Sequence, residues 1–144
     1  MAGRSSEIVD LRGFLAPGIH DVMIEILGPK GQSRRIASAM ILRISEACLP
    51  VYPLSTTDYL VSQNIHIQSQ SHSGKAVLVP VKIRIKKEKS PRLFALHGSI
   101  AYGAKNQAIL NLMCRHLALN DHDPDLVHQL INNDTPTGAP PAAV

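Results

Sequence analysis

Apolar and polar positions alternate along the first two-thirds of the chain and cycle at helical spacing only near its end. Val22, Ile24 and Ile26 share one parity, which predicts a strand over 22–27 after the Ala16-Pro17-Gly18 turn. Gly28-Pro29-Lys30-Gly31 reads as a turn, and RRIASAMILRI predicts a second strand over about 34–44, entered through two arginines. Residues 45–58, with Pro50 and Pro53 and several hydroxyl side chains, read as a long connection. In YLVSQNIHIQS, over 59–69, Ile65 and Ile67 alternate with Asn64, His66 and Gln68. The polar SQSHSGK stretch then suggests a hairpin loop into a strand over 75–87, and RLFALH a further strand over 92–97. Residues 1–13 read as a polar lead-in with a short apolar patch at Ile8, Val9 and Leu11.

The period changes between about Gly103 and Leu119, where Ala104, Ala108, Ile109, Leu112, Met113, His116 and Leu117 recur at three- and four-residue intervals. That spacing predicts an amphipathic helix. A second helix is expected to start at Asp123 as its cap, with Pro124 at the first helical position and Leu126, Val127, Leu130 and Ile131 packing it down. Strands first and helices last predict an α+β chain: a single β-rich domain with sandwich-like sheets and C-terminal helices. The domain is placed at 1–131, followed by a flexible Pro- and Gly-containing tail at 132–144.

Charge sharpens one segment. In VPVKIRIKKEK, Val79, Val81, Ile83 and Ile85 would face a core while Lys82, Arg84 and Lys86 face away, so the outer face is a row of cations. The net charge of +4 conceals thirteen Lys or Arg against three Asp or Glu between residues 27 and 117. A basic body with acidic ends points to a polyanion, either nucleic acid or an anionic membrane surface. The plain alternative is a solvated face whose lysines guard an edge strand against aggregation. The candidate contacts are Arg34, Arg35, Lys82, Arg84, Lys86, Lys87, Lys89 and Arg92. Five aromatic residues and no Trp argue against a base-stacking platform, which leaves backbone phosphate as the expected ligand group.

Other chemistry is thinly represented. A chain of 144 residues fits one domain, and Cys48 and Cys114 belong to no paired spacing, so neither a zinc site nor a disulfide scaffold is expected. MAGRSSEIVD lacks the apolar run of a secretory signal, no membrane-length apolar run occurs, and Ala2 removes the myristoylation signal; a soluble protein in a reducing compartment is expected. Seven histidines form no HExxH or Cys/His pattern, and GxSxG, GxxxxGK[ST] and GxGxxG are all absent. No enzyme activity, cofactor or metal is therefore expected; the rival is a small hydrolase using His72 or His122, each beside hydroxyls or carboxylates. Tyr52-Pro53-Leu54 loosely resembles a viral late-budding motif, and Asn133-Asp134-Thr135 matches a glycosylation acceptor by chance.

APGIHDVMIEIL at 16–27, a Pro-Gly turn feeding Met-x-Glu-Ile, looks like the matrix protein of bornaviruses. The likeness runs on through Gln32-Ser33-Arg34-Arg35 and Thr57-Asp58-Tyr59-Leu60 to the late helix, covering about residues 7–117. The resemblance implies a fold similar to the N-terminal domain of filovirus matrix proteins and assembly as a homotetramer. It further implies binding to the inner face of the viral envelope or host membrane, binding to single-stranded RNA or the viral ribonucleoprotein, and a part in virion assembly and budding. Arg34, in the matching Ser-Arg pair, is the cation it carries over. The alternative is a cellular basic RNA-binding module without membrane function.

Overall fold

In IVDLRGFL the residues of one parity, Val9, Leu11, Gly13 and Leu15, are apolar or glycine, and the segment is a strand, β1 (Ile8–Leu15). It pairs antiparallel with β2 (Val79–Lys86), in a register running from Ile8 opposite Lys86 to Leu15 opposite Val79. The structure, a computed structural model, describes residues 7–28, 35–70, 78–100 and 105–133. Residues 1–13 are thus not merely a lead-in: from Ile8 they supply the partner strand of the basic segment. The predicted faces of β2 hold, with Val81, Ile83 and Ile85 buried and Lys82 and Arg84 exposed.

The sandwich does not form. Among the described residues there are six helices and one two-stranded sheet, so the β-rich α+β expectation is corrected to a mainly helical fold. The strand expected at 22–27 is α1 (Asp21–Leu27), which buries Met23 and Leu27 four residues apart and ends at Gly28 with φ of 74°. The strand expected at 34–44 is α2 (Arg35–Cys48), where Ile41, Ile44 and Cys48 are buried at three- and four-residue spacing. Its last turn extends into the supposed connection of 45–58. The strand expected at 59–69 is α3 (Thr56–Gln70). Ser55 and Asp58 form a reciprocal capping box there: Ser55 N donates to Asp58 Oδ2 at 3.0 Å and Asp58 N to Ser55 Oγ at 3.4 Å. The strand expected at 92–97 is α4 (Pro91–Ser99), with Pro91 in its first turn.

Two helices form where they are expected, though the first is buried all round from Gln107 to Cys114 and is not amphipathic there. They are α5 (Lys105–His122) and α6 (Pro124–Asn133), and Asp123 Oδ1 accepts the Leu126 amide at 3.3 Å as a cap. Asn132 and Asn133, expected in the tail, close α6, and Ser69 and Gln70, expected in the hairpin loop, close α3; the turn beyond Gly28, the rest of that loop with the strand start at 75–77, the helix start at 103–104 and the tail from 134 lie outside the described residues. Helix α5 is the axis of the molecule and packs against β1, α1, α2, α3, α4 and α6. Its residues Gln107 to Cys114 are all buried. Contact with β1 is close enough that a Cβ on Gly13 would lie 2.5 Å from Leu110 Cδ1 and 2.8 Å from Gln107 Oε1.

Helix α4 is held by an unusual cap. Ser90 makes no side-chain cap bond; instead the buried carboxylate of Glu46, from α2, accepts the amides of Arg92 at 2.8 Å and Leu93 at 3.1 Å. Arg92 Nη1 returns a bond to the Glu46 carbonyl at 2.8 Å. A carboxylate on the first-turn amides satisfies orphan donors and meets the positive end of the helix dipole. Glu46→Ala is expected to lower stability by about 2 kcal/mol, since it leaves buried donors unpaired. Urea unfolding checks this, and a midpoint equal to that of the wild type would show the cap to be dispensable.

Candidate polyanion-binding site

Parity puts the even-numbered residues of both strands on the outer face of the ribbon. Ile8, Asp10, Arg12 and Phe14 of β1 stand opposite Lys86, Arg84, Lys82 and Pro80 of β2. The face therefore carries four cations and one acid. Arg84 Nε lies 3.1 Å from Asp10 Oδ1, and Arg84 and Asp10 are direct cross-strand partners. The Arg84 guanidinium holds the Asp10 carboxyl below its usual range. Arg12 and Lys82, also direct partners, are both exposed and have like charge. Such a pair is unfavourable in the free protein and is relieved by an anion placed over it.

The predicted contact residues separate into four groups. Lys82, Lys86 and Lys89 have no acidic partner among the described residues, and Lys82 and Lys89 are exposed. Arg84 and Lys87 are partly neutralised: Lys87 Nζ sits 3.0 Å from Glu7 Oε1 and 5.8 Å from the centre of the Phe94 ring. Arg92 serves α4 through Glu46. Arg34 and the Arg35 side chain lie outside the described residues. The missed residue is Arg12. Its signal was the alternation of Val9, Leu11, Gly13 and Leu15, which marks Arg12 as outward-facing once β1 is recognised.

A polar stripe, buried at Gln107 and Asn111 and reaching the surface at Arg115, fastens this ribbon to the body. Gln107, Asn111 and Arg115 recur every four residues on α5, so they share one face. Gln107 accepts the Phe14 amide at 2.9 Å and donates to the Phe14 carbonyl at 2.7 Å. Asn111 donates to the Asp58 carbonyl at 2.8 Å, and its Oδ1 lies 2.6 Å from His20 Nε2. Since His20 Nδ1 accepts the Ala16 amide at 2.8 Å, the ring proton resides on Nε2. Arg115 grips the buried Asp58 carboxylate in a fork, Nε to Oδ1 at 2.8 Å and Nη2 to Oδ2 at 2.7 Å. His116 Nε2 donates to the Tyr52 carbonyl at 2.8 Å, while its Nδ1 is buried without a partner.

Nothing described forms a catalytic centre around the candidate histidines. His122 is exposed at the end of α5, and His72 lies outside the described residues. A cleft of about 220 Å³ between α1 and α5 is lined by Asp21, Val22, Glu25, Ile26, Leu117, Asn120 and Asp121, without histidine. Among the described residues no cluster of His, Cys, Asp or Glu is placed to hold a metal, and no helix is long and apolar enough to cross a membrane. Cys48 and Cys114 are free and buried, and burial pushes the Cys114 thiol up to about 11. Comparison of the chain with protein families, curated proteins and solved structures gives no match.

Burial lowers the pKa of both His20 and His116 below the ordinary 6.5, and His97 is lowered by burial and by nearby Lys105. The unfolded chain therefore takes up these protons first as pH falls. The stability that the neutral rings contribute is fully present above 6.5 and is lost as pH drops through their folded values. The urea midpoint is expected to be lower at pH 5.5 than at pH 7.5, a window above the titration of Asp10. Equal midpoints would show that these rings titrate alike in both states.

Proposed function

We propose that this protein is a non-enzymatic binding module whose β-ribbon lays its outer face along the phosphates of single-stranded RNA. The observation that carries the reading is the four-to-one excess of cations on that face, with Arg12 and Lys82 set directly against each other. Along β2, Lys82, Arg84 and Lys86 recur every second residue, which spaces cations by about 6.8 Å on a nearly straight line. A linear array of this kind suits a flexible chain of phosphates, and displaced counterions supply the driving force. The face has one aromatic, Phe14, which packs at the ribbon's end against Ala16, Ile65 and Leu78, so binding is expected to discriminate little between bases.

The resemblance to bornavirus matrix proteins suggested anionic lipid as a second ligand. Attachment to a membrane is strongest where cations are joined by apolar side chains that enter the bilayer. On the ribbon face only Ile8, 45% exposed, offers one, whereas the exposed Ile36, Met40, Leu60 and Ile67 stand on α2 and α3. RNA is accordingly the ligand favoured.

Lys82→Glu with Lys86→Glu is expected to weaken binding of a single-stranded oligonucleotide at least about tenfold and to reduce the slope of log K against log salt by about 1.4. Fluorescence anisotropy over a salt series measures both. Unchanged affinity with an unchanged circular dichroism spectrum would refute the site. In parallel, flotation with phosphatidylserine vesicles that succeeds where RNA binding fails would replace RNA by lipid as the ligand.

A further inference from the structure

The ribbon has two open edges, and they differ in what they permit. Glu7 accepts the Lys87 amide, so the main-chain groups of odd-numbered residues in β1 point towards β2. Those of the even-numbered residues point the other way, as the bonds of Phe14 to Gln107 confirm. Phe14 is thereby sealed by Gln107, while the outward amides and carbonyls of Ile8, Asp10 and Arg12 meet no partner among the described residues. An unpaired strand edge is a template for another strand.

We infer that the open edge of β1 pairs antiparallel with the same edge of a second copy, about a two-fold axis at Leu11. The sequence of β1 is self-complementary in that register. Asp10 falls opposite Arg12 of the other copy and Arg12 opposite its Asp10. Each Asp10–Arg12 pair exchanges two N–H···O=C bonds, because the main-chain groups of both residues face outward. Opposite charges then sit across the new seam on the outer face, and each Arg12, which stands opposite Lys82 in its own ribbon and feels its own Asp10 along the strand, gains a second carboxylate directly across the seam. Gln107 occupies the Phe14 edge, so the ladder ends at the Asp10–Arg12 pairs.

The edge of β2 offers no such solution. It carries Pro80 and the alternating cations Lys82, Arg84 and Lys86, so self-pairing there would set like charges opposite one another. An isologous β1 contact joins two ribbons into one sheet of four strands and doubles the cationic face without bringing Lys82 of one copy beside that of the other. It deepens the RNA-binding reading by supplying a continuous surface, but it is measured on protein without RNA, so failure of either idea leaves the other standing.

Sedimentation equilibrium of the full chain tests the pairing. A concentration-dependent dimer is expected. Arg12→Asp, which places an acid opposite Lys82 within the ribbon and so preserves the fold, is expected to raise the dimer Kd at least about tenfold. The exchange of both charges, Asp10→Arg with Arg12→Asp, restores complementarity across the seam and is expected to recover the dimer. A second readout needs no variant: in the wild type, hydrogen exchange at the Asp10 and Arg12 amides should slow as protein concentration rises, while that at Leu11 and Gly13 stays constant. A monomer at all concentrations, a dimer indifferent to Arg12→Asp, or amides at Asp10 and Arg12 that exchange freely at high concentration would overturn the inference.

Discussion

Helix α5 is buried from Gln107 to Cys114 and again at His116 and Leu117, and polar groups in that stretch must find partners inside the protein. Gln107, Asn111 and Arg115 do so on one stripe, and their partners are main-chain or capping groups of β1 and α3, together with His20 at the entrance to α1. Each such bond contributes only about 1 kcal/mol net, whereas a buried group left unpaired costs about 1–3 kcal/mol. The stripe therefore acts mainly as a specification. A shift of β1 by one residue would strand Gln107 and bring a side chain into the space that Gly13 leaves beneath Leu110.

That specification reaches the surface through the ribbon. Val81, Ile83, Ile85, Leu11 and Leu15 commit the inner face to the core, and with period-two geometry the cations have nowhere to go but out. The acids then decide how much of that charge is available. Asp10 and Glu7 each pair with one neighbour, but exposed pairs of this sort are screened by solvent and leave the field of the face largely cationic. The same Asp10 also bears on the open edge, because a strand that carries an acid and a base two residues apart is complementary to its own reverse. Binding face and assembly edge are thus two uses of one eight-residue strand.

Much of the helical architecture was signalled in the residues and was outweighed by short alternating runs. VMIEIL satisfies a strand pattern and also places Met23 and Leu27 one turn apart, and so short an apolar run cannot separate the two. Around Ile65, the alternation with Asn64 and His66 pointed to a strand, while the capping box of Ser55 and Asp58 pointed to the helix that forms. Ser90-Pro91 announces a helix start as plainly as Asp123-Pro124 does. Reading residues 1–13 as a polar lead-in hid β1, the strand that pairs with the basic segment.

What the sequence by itself determined is local: the inward and outward parity of β2, the late helices with the Asp123 cap, the absence of paired cysteines, and the surplus of cations between residues 27 and 117. Each follows from side-chain periodicity or simple charge, which need no knowledge of distant neighbours. Only the tertiary structure decided which cations remain without an acid, that Arg12 joins them, that Glu46 caps a helix far along the chain, and that one edge of β1 stays open. These depend on pairings across intervals of about 45 to 95 residues. Where the chain returns is set by burial of the whole core, not by any stretch of sequence taken alone.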